Sequence, residues 1–337
     1  MQRAKTFYII RVEFLYYKEG CIKKKISIVI PCYNEEEVLN QFYTELTNVL
    51  NQIKKDYTFE IIFIDDGSTD KTLQILQEFQ KNNNLIHIIS FSRNFGKESA
   101  IHAGLKDSTG DLIVLMDSDL QHPPKIILEM LTEVKNGFDM VATKRLNRKG
   151  EPIIKSFFSK LFYKIMKNFL PMEEGVQDFR IMTREVVNAI LSLDEYNRFS
   201  KGIFSWIGFK TKYIVIEHIK RPSGKTKWNF RKLFSYAIDG ITSFSTLPLK
   251  ISAIIGTLIS ILATIFAIII IIQTLYFGKD VPGYASTITA VLFIGGIQLL
   301  SIGILSEYIS KIYLEIKNRP KYIIKNQNGD TTDETNN

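Results

Sequence analysis

Short apolar runs alternate with helix-like segments through the first half of the chain. Five runs rich in Ile, Val, Leu and Phe have the length and composition of buried strands: Ile26–Ile30, Phe59–Ile64, Ile86–Phe91, Leu112–Met116 and Met140–Thr143. Between these runs, apolar residues recur with helical spacing over Glu35–Ile53, Thr72–Gln80, Lys97–Leu105 and Lys125–Val134. Because strands that alternate with single helices form βαβ units, the pattern predicts an α/β domain with a mostly parallel sheet.

Two long apolar stretches dominate the C-terminal part of the chain. Residues 251–277 and 284–306 contain no charged side chain. Each stretch exceeds the roughly 20 residues that cross a bilayer core. A buried pair of soluble helices is the alternative, but two such spans with a short connector are typical of a transmembrane hairpin over about 247–310.

Basic residues around the two spans predict their orientation. The connector contains Lys279 and Asp280, whose charges cancel, whereas the flanks are basic, with Arg231, Lys232 and Lys250 before the first span and Lys311, Lys317, Arg319 and Lys321 after the second. The positive-inside rule then predicts a multi-pass protein of the inner or plasma membrane whose N-terminal domain and both termini are cytoplasmic.

Charge and cysteine content narrow the class of protein further. The formal net charge of +8 suits a protein held against an anionic leaflet, and no nucleic-acid motif supports the competing interpretation. The two cysteines, Cys21 and Cys32, are too few and too scattered for a disulfide framework or a metal site. This content is expected in a reducing compartment.

The remaining segments complete the predicted organisation. Residues 1–25 lack the apolar core of a secretory signal and are predicted to be an extension. Residues 153–170 form a candidate amphipathic helix, either an ordinary surface helix or one that docks at the membrane interface. The predicted units are a cytoplasmic domain over 26–229, a juxtamembrane helix over 230–246, and a cytoplasmic tail over 311–337 that is disordered after Lys325.

Acidic residues follow two of the predicted strands. Asp117-Ser118-Asp119 comes after the fourth strand, and Asp65-Asp66-Gly67-Ser68 comes after the second. Neighbouring carboxylates at a strand end are costly without a positive charge, and Mg²⁺ or Mn²⁺ prefers such oxygen ligands. Since ligands gather beyond the carboxyl ends of parallel strands, the motifs predict a site for a nucleotide diphosphate.

These motifs together carry a family resemblance. Ser27-Ile28-Val29-Ile30-Pro31-Cys32-Tyr33-Asn34-Glu35-Glu36 and the two acidic motifs resemble family 2 glycosyltransferases, which are inverting enzymes with an A-type, Rossmann-like nucleotide-binding fold. Further segments resemble the polyprenyl-phosphate branch, which includes bactoprenol glucosyltransferases and dolichol-phosphate mannosyltransferases: Gly175-Val176-Gln177-Asp178-Phe179-Arg180, Arg198-Phe199, Lys201-Gly202, Trp206-Ile207-Gly208-Phe209 and Asp239 to Ser245. The resemblance covers about residues 26–322.

The resemblance implies a donor site. It assigns Asp66 and Asp65 to the base or ribose, although a capped turn is the alternative for this motif. It assigns Asp117 and Asp119 to the Mg²⁺ or Mn²⁺ that bridges the diphosphate, with Asp117 alternatively facing the ribose. The remaining implied donor-site residues are Pro31, Tyr33, Glu35 and Lys97, of which Lys97 would neutralise phosphate unless it lies on a solvated loop face.

The resemblance also implies the catalytic and acceptor residues. Asp178 and Asp119 are the catalytic candidates, and for Asp178 both a base and a positioning role are open. A phosphate monoester has a second pKa near ~6, so the acceptor needs little deprotonation at neutral pH. It does need fixed positive charge to approach a diphosphate, and the implied cations are Arg180, Arg198, Lys201, Arg221 and Lys227.

The predicted activity is inverting transfer of a hexose to undecaprenyl phosphate at the cytoplasmic membrane face. UDP-glucose or UDP-GlcNAc is the expected donor, the product is a lipid-linked sugar for cell-envelope glycosylation, and homo-oligomers are possible. The main alternative is GDP-mannose-dependent transfer to a polyprenyl or dolichol phosphate. A processive polysaccharide synthase is disfavoured because the chain lacks a Gln-x-x-Arg-Trp motif, and a non-catalytic scaffold would not retain both the acidic pair and the cations.

Overall fold

The computed structural model describes residues 23–145, 173–216, 240–277 and 283–327. Within these residues an eight-stranded sheet has the order β7-β5-β6-β4-β1-β2-β3-β8. Its strands are β1 (Lys24–Cys32), β2 (Tyr57–Asp65), β3 (Ile86–Phe91), β4 (Leu112–Leu115), β5 (Met140–Arg145), β6 (Val176–Thr183), β7 (Thr211–Ile216) and β8 (Ile324–Gln327). Only β6 and β8 run against the other six, so the predicted mostly parallel α/β architecture is confirmed.

Helices cover both faces of this sheet. They are α1 (Leu39–Ile53), α2 (Thr72–Asn82), α3 (Lys97–Asp107), α4 (Ile126–Lys135), α5 (Arg184–Ser192) and α6 (Ser200–Trp206). Alternate residues of the strands pack into two hydrophobic cores, one on each face of the sheet. Ile28 belongs to the core under α1, α2 and α4, and Val29 belongs to the core under α3, α5 and α6. Helix α3 packs so closely that a Cβ on Gly104 would lie 2.3 Å from Val29 Cγ1.

Strand β6 brings Asp178 to the parallel part of the sheet. It lies antiparallel between β4 and β5, with Arg180 opposite Leu115 on one side and Ala142 on the other. The sequence pattern did not predict this strand, because Gln177, Asp178 and Arg180 interrupt its apolar run. As a result, Asp178 lies near the end of β4, next to the segment that carries Asp117.

The C-terminal tail is ordered further than predicted. Strand β8 pairs antiparallel with β3, and Ser92 N donates to Ile323 O at 2.9 Å. The Tyr322 ring stacks on Phe91 with centroids 4.8 Å apart. The predicted disorder after Lys325 is therefore wrong for residues 326–327, because backbone pairing with an edge strand does not require an apolar sequence.

Two long helices follow the α/β domain. Helices α7 (Leu247–Phe277) and α8 (Tyr284–Lys317) contain segments of mean hydropathy 2.9 and 2.2 that are long and apolar enough to cross a membrane. Their apolar side chains are exposed, with Leu262 66% and Phe266 65% accessible, which is not the environment of a soluble core helix. Helix α8 continues to Lys317, well past the predicted end of the second span at 306.

Several predicted segments lie outside the described residues. These are most of the extension over 1–25, the amphipathic helix over 153–170, and the greater part of the juxtamembrane helix over 230–246, of which residues 240–244 are helical. The division into domains stays a prediction.

Candidate active site

A lysine at the start of α3 joins two of the predicted carboxylates. Lys97 Nζ lies 2.7 Å from Asp117 Oδ1 and 2.7 Å from Asp178 Oδ2. Burial alone would lower the pKa of Lys97, but the two carboxylates outweigh it and raise that pKa above its usual value. The acidic strand end, β6 and α3 therefore meet in one ionised cluster, named the Lys97 cluster below.

The same cluster sets the protonation of Asp178. Burial alone would raise the pKa of Asp178, but Lys97 and Lys201 together hold that pKa far below its usual value. Asp178 is therefore a firmly ionised carboxylate at neutral pH and a poor proton acceptor. This low pKa is relevant to whether Asp178 acts as a base or as a positioning residue.

The turn after β4 presents the second carboxylate of the acidic motif. Leu120 has a left-handed φ of 58°, and Gln121 N donates to Asp119 Oδ1 at 3.1 Å. Asp119 is 6% exposed. The turn thus holds the buried Asp119 at the carboxyl edge of the sheet.

His122, which sequence reasoning missed, lies directly after this turn. Burial lowers the pKa of His122 despite the neighbouring Asp117 and Asp119, so its imidazole is neutral. Its Nδ1 is buried and has no hydrogen-bond partner within the described residues. Its position directly after the acidic motif was the one signal in the sequence that pointed to it.

The donor set around this turn fits a hard divalent cation bound together with a ligand. Asp117 and Asp119 supply carboxylate oxygens, the ligand type that Mg²⁺ and Mn²⁺ prefer. Among the described residues no group of three or more His, Cys, Asp or Glu side chains is arranged to hold a metal alone. The remaining ligands would therefore come from phosphate oxygens or water.

Asp66 organises the loop that precedes Lys97. Its carboxylate accepts hydrogen bonds from Phe95 N at 2.7 Å and Gly96 N at 3.0 Å. Burial outweighs these bonds and raises the pKa of Asp66 to about 6. The loop also passes so close to Gly67, which has a φ of 65°, that a Cβ there would lie 2.3 Å from Arg93 C.

For Asp65 the observed environment departs from the predicted nucleotide contact. Asp65 is 1% exposed, and its carboxylate accepts from Ser90 Oγ at 2.8 Å and from Ser68 N at 3.0 Å. These contacts are those of a carboxylate that stabilises the turn, which was the structural alternative for this motif. A nucleotide contact of Asp65 stays a prediction.

The β1 end and the β2 end form one surface. Asn34, with a φ of 53°, donates from its backbone N to Ser68 Oγ at 3.0 Å, and Glu35 N donates to Thr72 Oγ1 at 2.9 Å. These bonds hold the segment with Pro31, Tyr33 and Glu35 beside the second acidic motif. The three residues are partly exposed, as a ligand-facing segment would be.

The predicted acceptor cations separate into distinct environments. Arg180 is 1% exposed, donates to the backbone oxygens of Asp178 and Gln177, and lies 3.5 Å over the Phe204 ring. Burial lowers the pKa of Arg180 to about 10. Arg180 therefore contacts both β6 and α6 and stabilises the packing between them.

Arg198 also binds backbone oxygens. It donates to Leu193 O at 2.6 Å and Ile190 O at 3.3 Å, at the C-terminal end of α5. Lys201, by contrast, is partly exposed and close enough to lower the pKa of Asp178. Thus Lys201 matches the environment predicted for an acceptor cation better than Arg180 or Arg198 does. Arg221 and Lys227 lie outside the described residues.

Sequence reasoning also missed the link between α3 and α6. Glu98 accepts from Ser200 N at 3.1 Å and is hydrogen-bonded to Ser200 Oγ. Burial raises the pKa of Glu98. Glu98 follows Lys97 on α3, and Ser200 precedes Lys201 on α6, so this contact fixes the spacing of the two lysines.

The acidic residues and their bridging lysine lie at the carboxyl ends of a mostly parallel sheet, and an apolar helical hairpin follows this domain. This combination is typical of a membrane-associated transferase that uses a nucleotide sugar. The family profile described as Glycosyl transferase family 2 matches residues 27–191, and one described as GtrB C-terminal hairpin matches residues 247–312. The chain belongs to glycosyl transferase family 2 and is a glycosyltransferase enzyme.

Relatives of known name resemble the chain over nearly its whole length. A glycosyltransferase of Synechocystis sp. is 43% identical over 302 residues, which is 89% of this chain and 94% of the relative. The SfII prophage-derived bactoprenol glucosyl transferase of Shigella flexneri is 43% identical over 89% of this chain and 97% of its own length. The prophage bactoprenol glucosyl transferase homolog of Escherichia coli K12 is 43% identical over 89% and 98%, respectively.

Proposed function

We propose that the enzyme transfers a hexose from a UDP-sugar, UDP-glucose or UDP-GlcNAc, to undecaprenyl phosphate at the cytoplasmic membrane face. The observation that carries this proposal is the Lys97 cluster, which lies at the sheet edge where nucleotides bind in α/β folds and belongs to a chain with a membrane hairpin. The names of the Shigella and Escherichia relatives support the lipid acceptor and the glucosyl group.

The chemistry is a single displacement at the anomeric carbon. An oxygen of the acceptor phosphate forms the new bond to that carbon, the bond to the nucleotide diphosphate breaks, and the configuration inverts. Because the acceptor is already mostly dianionic at neutral pH, no strong base is required. The depressed pKa of Asp178 then supports a positioning role, in which Asp178 holds Lys97 and Lys201 around the reacting groups.

The donor side of the site uses the acidic residues. Asp117 and Asp119 would hold Mg²⁺ or Mn²⁺, which would supply positive charge for the departing diphosphate. Pro31, Tyr33, Glu35 and Asp66 would frame the nucleoside. Replacing Asp119 with Ala should remove the dependence of nucleotide-sugar affinity on Mn²⁺, measured by calorimetry, without affecting membrane insertion; unchanged Mn²⁺ dependence would contradict this assignment.

The acceptor side of the site would use fixed cations. We assign the phosphate contact to Lys201, together with Arg221 and Lys227, whereas the backbone contacts of Arg180 and Arg198 support positioning roles for these two residues. The proposed topology is multi-pass in the inner membrane, with both termini cytoplasmic, which confines the enzyme to the layer that contains its acceptor. The product would be a lipid-linked sugar.

The decisive experiment offers the purified enzyme radiolabelled UDP-glucose, UDP-GlcNAc and GDP-mannose with undecaprenyl phosphate and either Mg²⁺ or Mn²⁺. Label from a UDP-sugar should enter an acid-labile lipid fraction. Label from GDP-mannose alone would favour the mannosyltransferase alternative. No lipid-phase label from any donor would refute the proposal.

A further inference from the structure

The second hairpin helix is connected to the start of the hairpin by polar contacts near the α/β domain. Tyr308 Oη on α8 donates to Ser245 O at 2.6 Å, and Lys311 Nζ lies 3.4 Å from Ser243 Oγ. Ser245 Oγ also accepts from Leu247 N at 3.0 Å, where α7 begins. Residues 243–245 are therefore held by both hairpin helices.

The residue between these contacts reaches into the α/β domain. The Phe244 ring packs against Phe199, with centroids 6.1 Å apart, and against Gly202 on α6. A Cβ on Gly202 would lie 2.4 Å from Phe244 Cε2 and 2.7 Å from Phe199 Cδ1. The contact thus needs glycine for space, since the φ of Gly202 is not in the left-handed region.

Helix α6 transmits this contact to the candidate active site. Ser200, at its first position, binds Glu98 on α3, and Phe204 lies under the Arg180 guanidinium on β6. Lys201 lies between these two fixed points, lines a cavity together with Arg180 and Phe204, and lowers the pKa of Asp178. A shift of this seven-residue helix would therefore move the Lys201 ammonium relative to the Lys97 cluster.

We infer that Gly202 and Phe244 are positioning residues through which the membrane hairpin sets the place of Lys201, and hence the affinity for the acceptor phosphate. The inference rests on the proposed function, because it takes the acceptor to be a lipid phosphate that approaches from the hairpin side. In this arrangement the hairpin does more than anchor the enzyme, because its position in the membrane and the geometry of the acceptor site are mechanically linked.

The test is a KM comparison with full-length enzyme in detergent micelles. Gly202→Ala should raise KM for undecaprenyl phosphate about tenfold, the scale of a modest overpacking energy, while KM for the nucleotide sugar changes less than about twofold. The double variant Gly202→Ala/Phe244→Ala should recover much of that loss, because removing the ring makes room for the new methyl group. Phe244→Ala alone completes the cycle.

Gly256→Ala is the matched control, because a Cβ there, within α7, meets nothing within 4 Å. It should behave as wild type. If Gly202→Ala does not fold, Phe244→Leu tests the same contact from the other side and should raise KM for the acceptor selectively.

Three results would overturn the inference: an unchanged acceptor KM, an equal rise in both KM values, or additive effects in the double-variant cycle. These results differ from failure of the proposed function. In that case the wild-type enzyme and the Gly256→Ala control would themselves transfer no label to lipid.

Discussion

At the scale of single residues, Lys97 is the centre of the candidate site. Its ammonium is the shared counterion of Asp117 and Asp178, two carboxylates that come from different strand ends. Removing the lysine from this partly exposed ionic cluster leaves the two neighbouring carboxylates without their shared cation. The sequence predicted Lys97 as a phosphate contact, whereas the structure shows that it also organises the acidic residues.

Lys97→Ala should therefore lower kcat/KM by at least about tenfold, since solvent screens part of the charge of this partly exposed lysine. It should also raise the pKa of Asp178, because a cation that depresses that pKa is gone. Lys106→Ala, at an exposed position of the same helix, is the control. An equal kcat/KM in the Lys97→Ala and Lys106→Ala variants would contradict the role assigned to Lys97.

A second buried carboxylate affects stability rather than catalysis. Glu60 is 5% exposed and accepts from Thr109 N at 2.7 Å, with Lys25 Nζ 2.5 Å away and Ser27 Oγ also bound. Burial would raise the pKa of Glu60, but these partners outweigh it and lower the pKa from 4.5 to about 2.

Because the folded-state pKa of Glu60 is depressed, its contribution to stability is complete above about pH 4.5 and is lost as the pH falls towards 2. Glu60→Gln should lower the free energy of unfolding by roughly 2 kcal/mol at pH 7, and the difference from wild type should shrink in acid. Thermal unfolding in detergent across this pH range measures the effect. A difference that does not depend on pH would show that charge is not the cause.

At the scale of secondary structure, the sequence pattern predicted the strands whose central residues are all apolar. It missed the strands in which polar or charged residues interrupt the apolar run. Strands β1 to β5 and helices α1 to α4 match their predicted positions within a few residues at most ends. Strand β6 was missed because its charged residues interrupt the apolar pattern, and two of the partners that stabilise them are distant in sequence: Lys97 for Asp178 and the Phe204 ring for Arg180. The contact of Asp65 with Ser90 Oγ was not foreseen for the same reason, because Ser90 lies on a different strand, β3.

The strand after the hairpin gives a prediction at this scale. Tyr322 stacks on Phe91, and the neighbouring Lys321 O accepts from Ser99 Oγ on α3. Tyr322→Ala should destabilise the enzyme by about 2 kcal/mol, seen as a lower Tm in detergent, because it removes a large aromatic contact at the sheet edge. Tyr322→Phe keeps the ring and should remain close to wild type; equal losses in both variants would contradict the stacking explanation.

At the scale of the whole molecule, the α/β domain and the hairpin contact each other at more than one place. The chain leaves the domain through residues 240–246, and after α8 it returns to the sheet as β8. Glu315 near the end of α8 also accepts from Tyr196 N at 3.0 Å, and Lys321 pairs with Asp194. Composition predicted two membrane segments, but only the fold shows that the domain is tied to both ends of the hairpin.

The proposed two-span topology would place the two ends of the hairpin on the same side of the membrane as the α/β domain, and the 278–283 connector on the opposite side. The basic flanks favour the cytoplasm for the domain side. A cysteine introduced by Lys279→Cys should therefore react with a membrane-impermeant maleimide added outside intact cells. Lys250→Cys should react only after the membrane is opened.

Background labelling of the native cysteines should be low in this experiment. Cys32 is 2% exposed, and burial raises the pKa of its thiol, so it should not react in the folded enzyme. Cys21→Ser in all variants removes the other thiol. Labelling of Lys279→Cys from the cytoplasmic side alone would invert the topology, and would then place the nucleotide-sugar site on the side of the membrane away from the cytoplasmic donor pool.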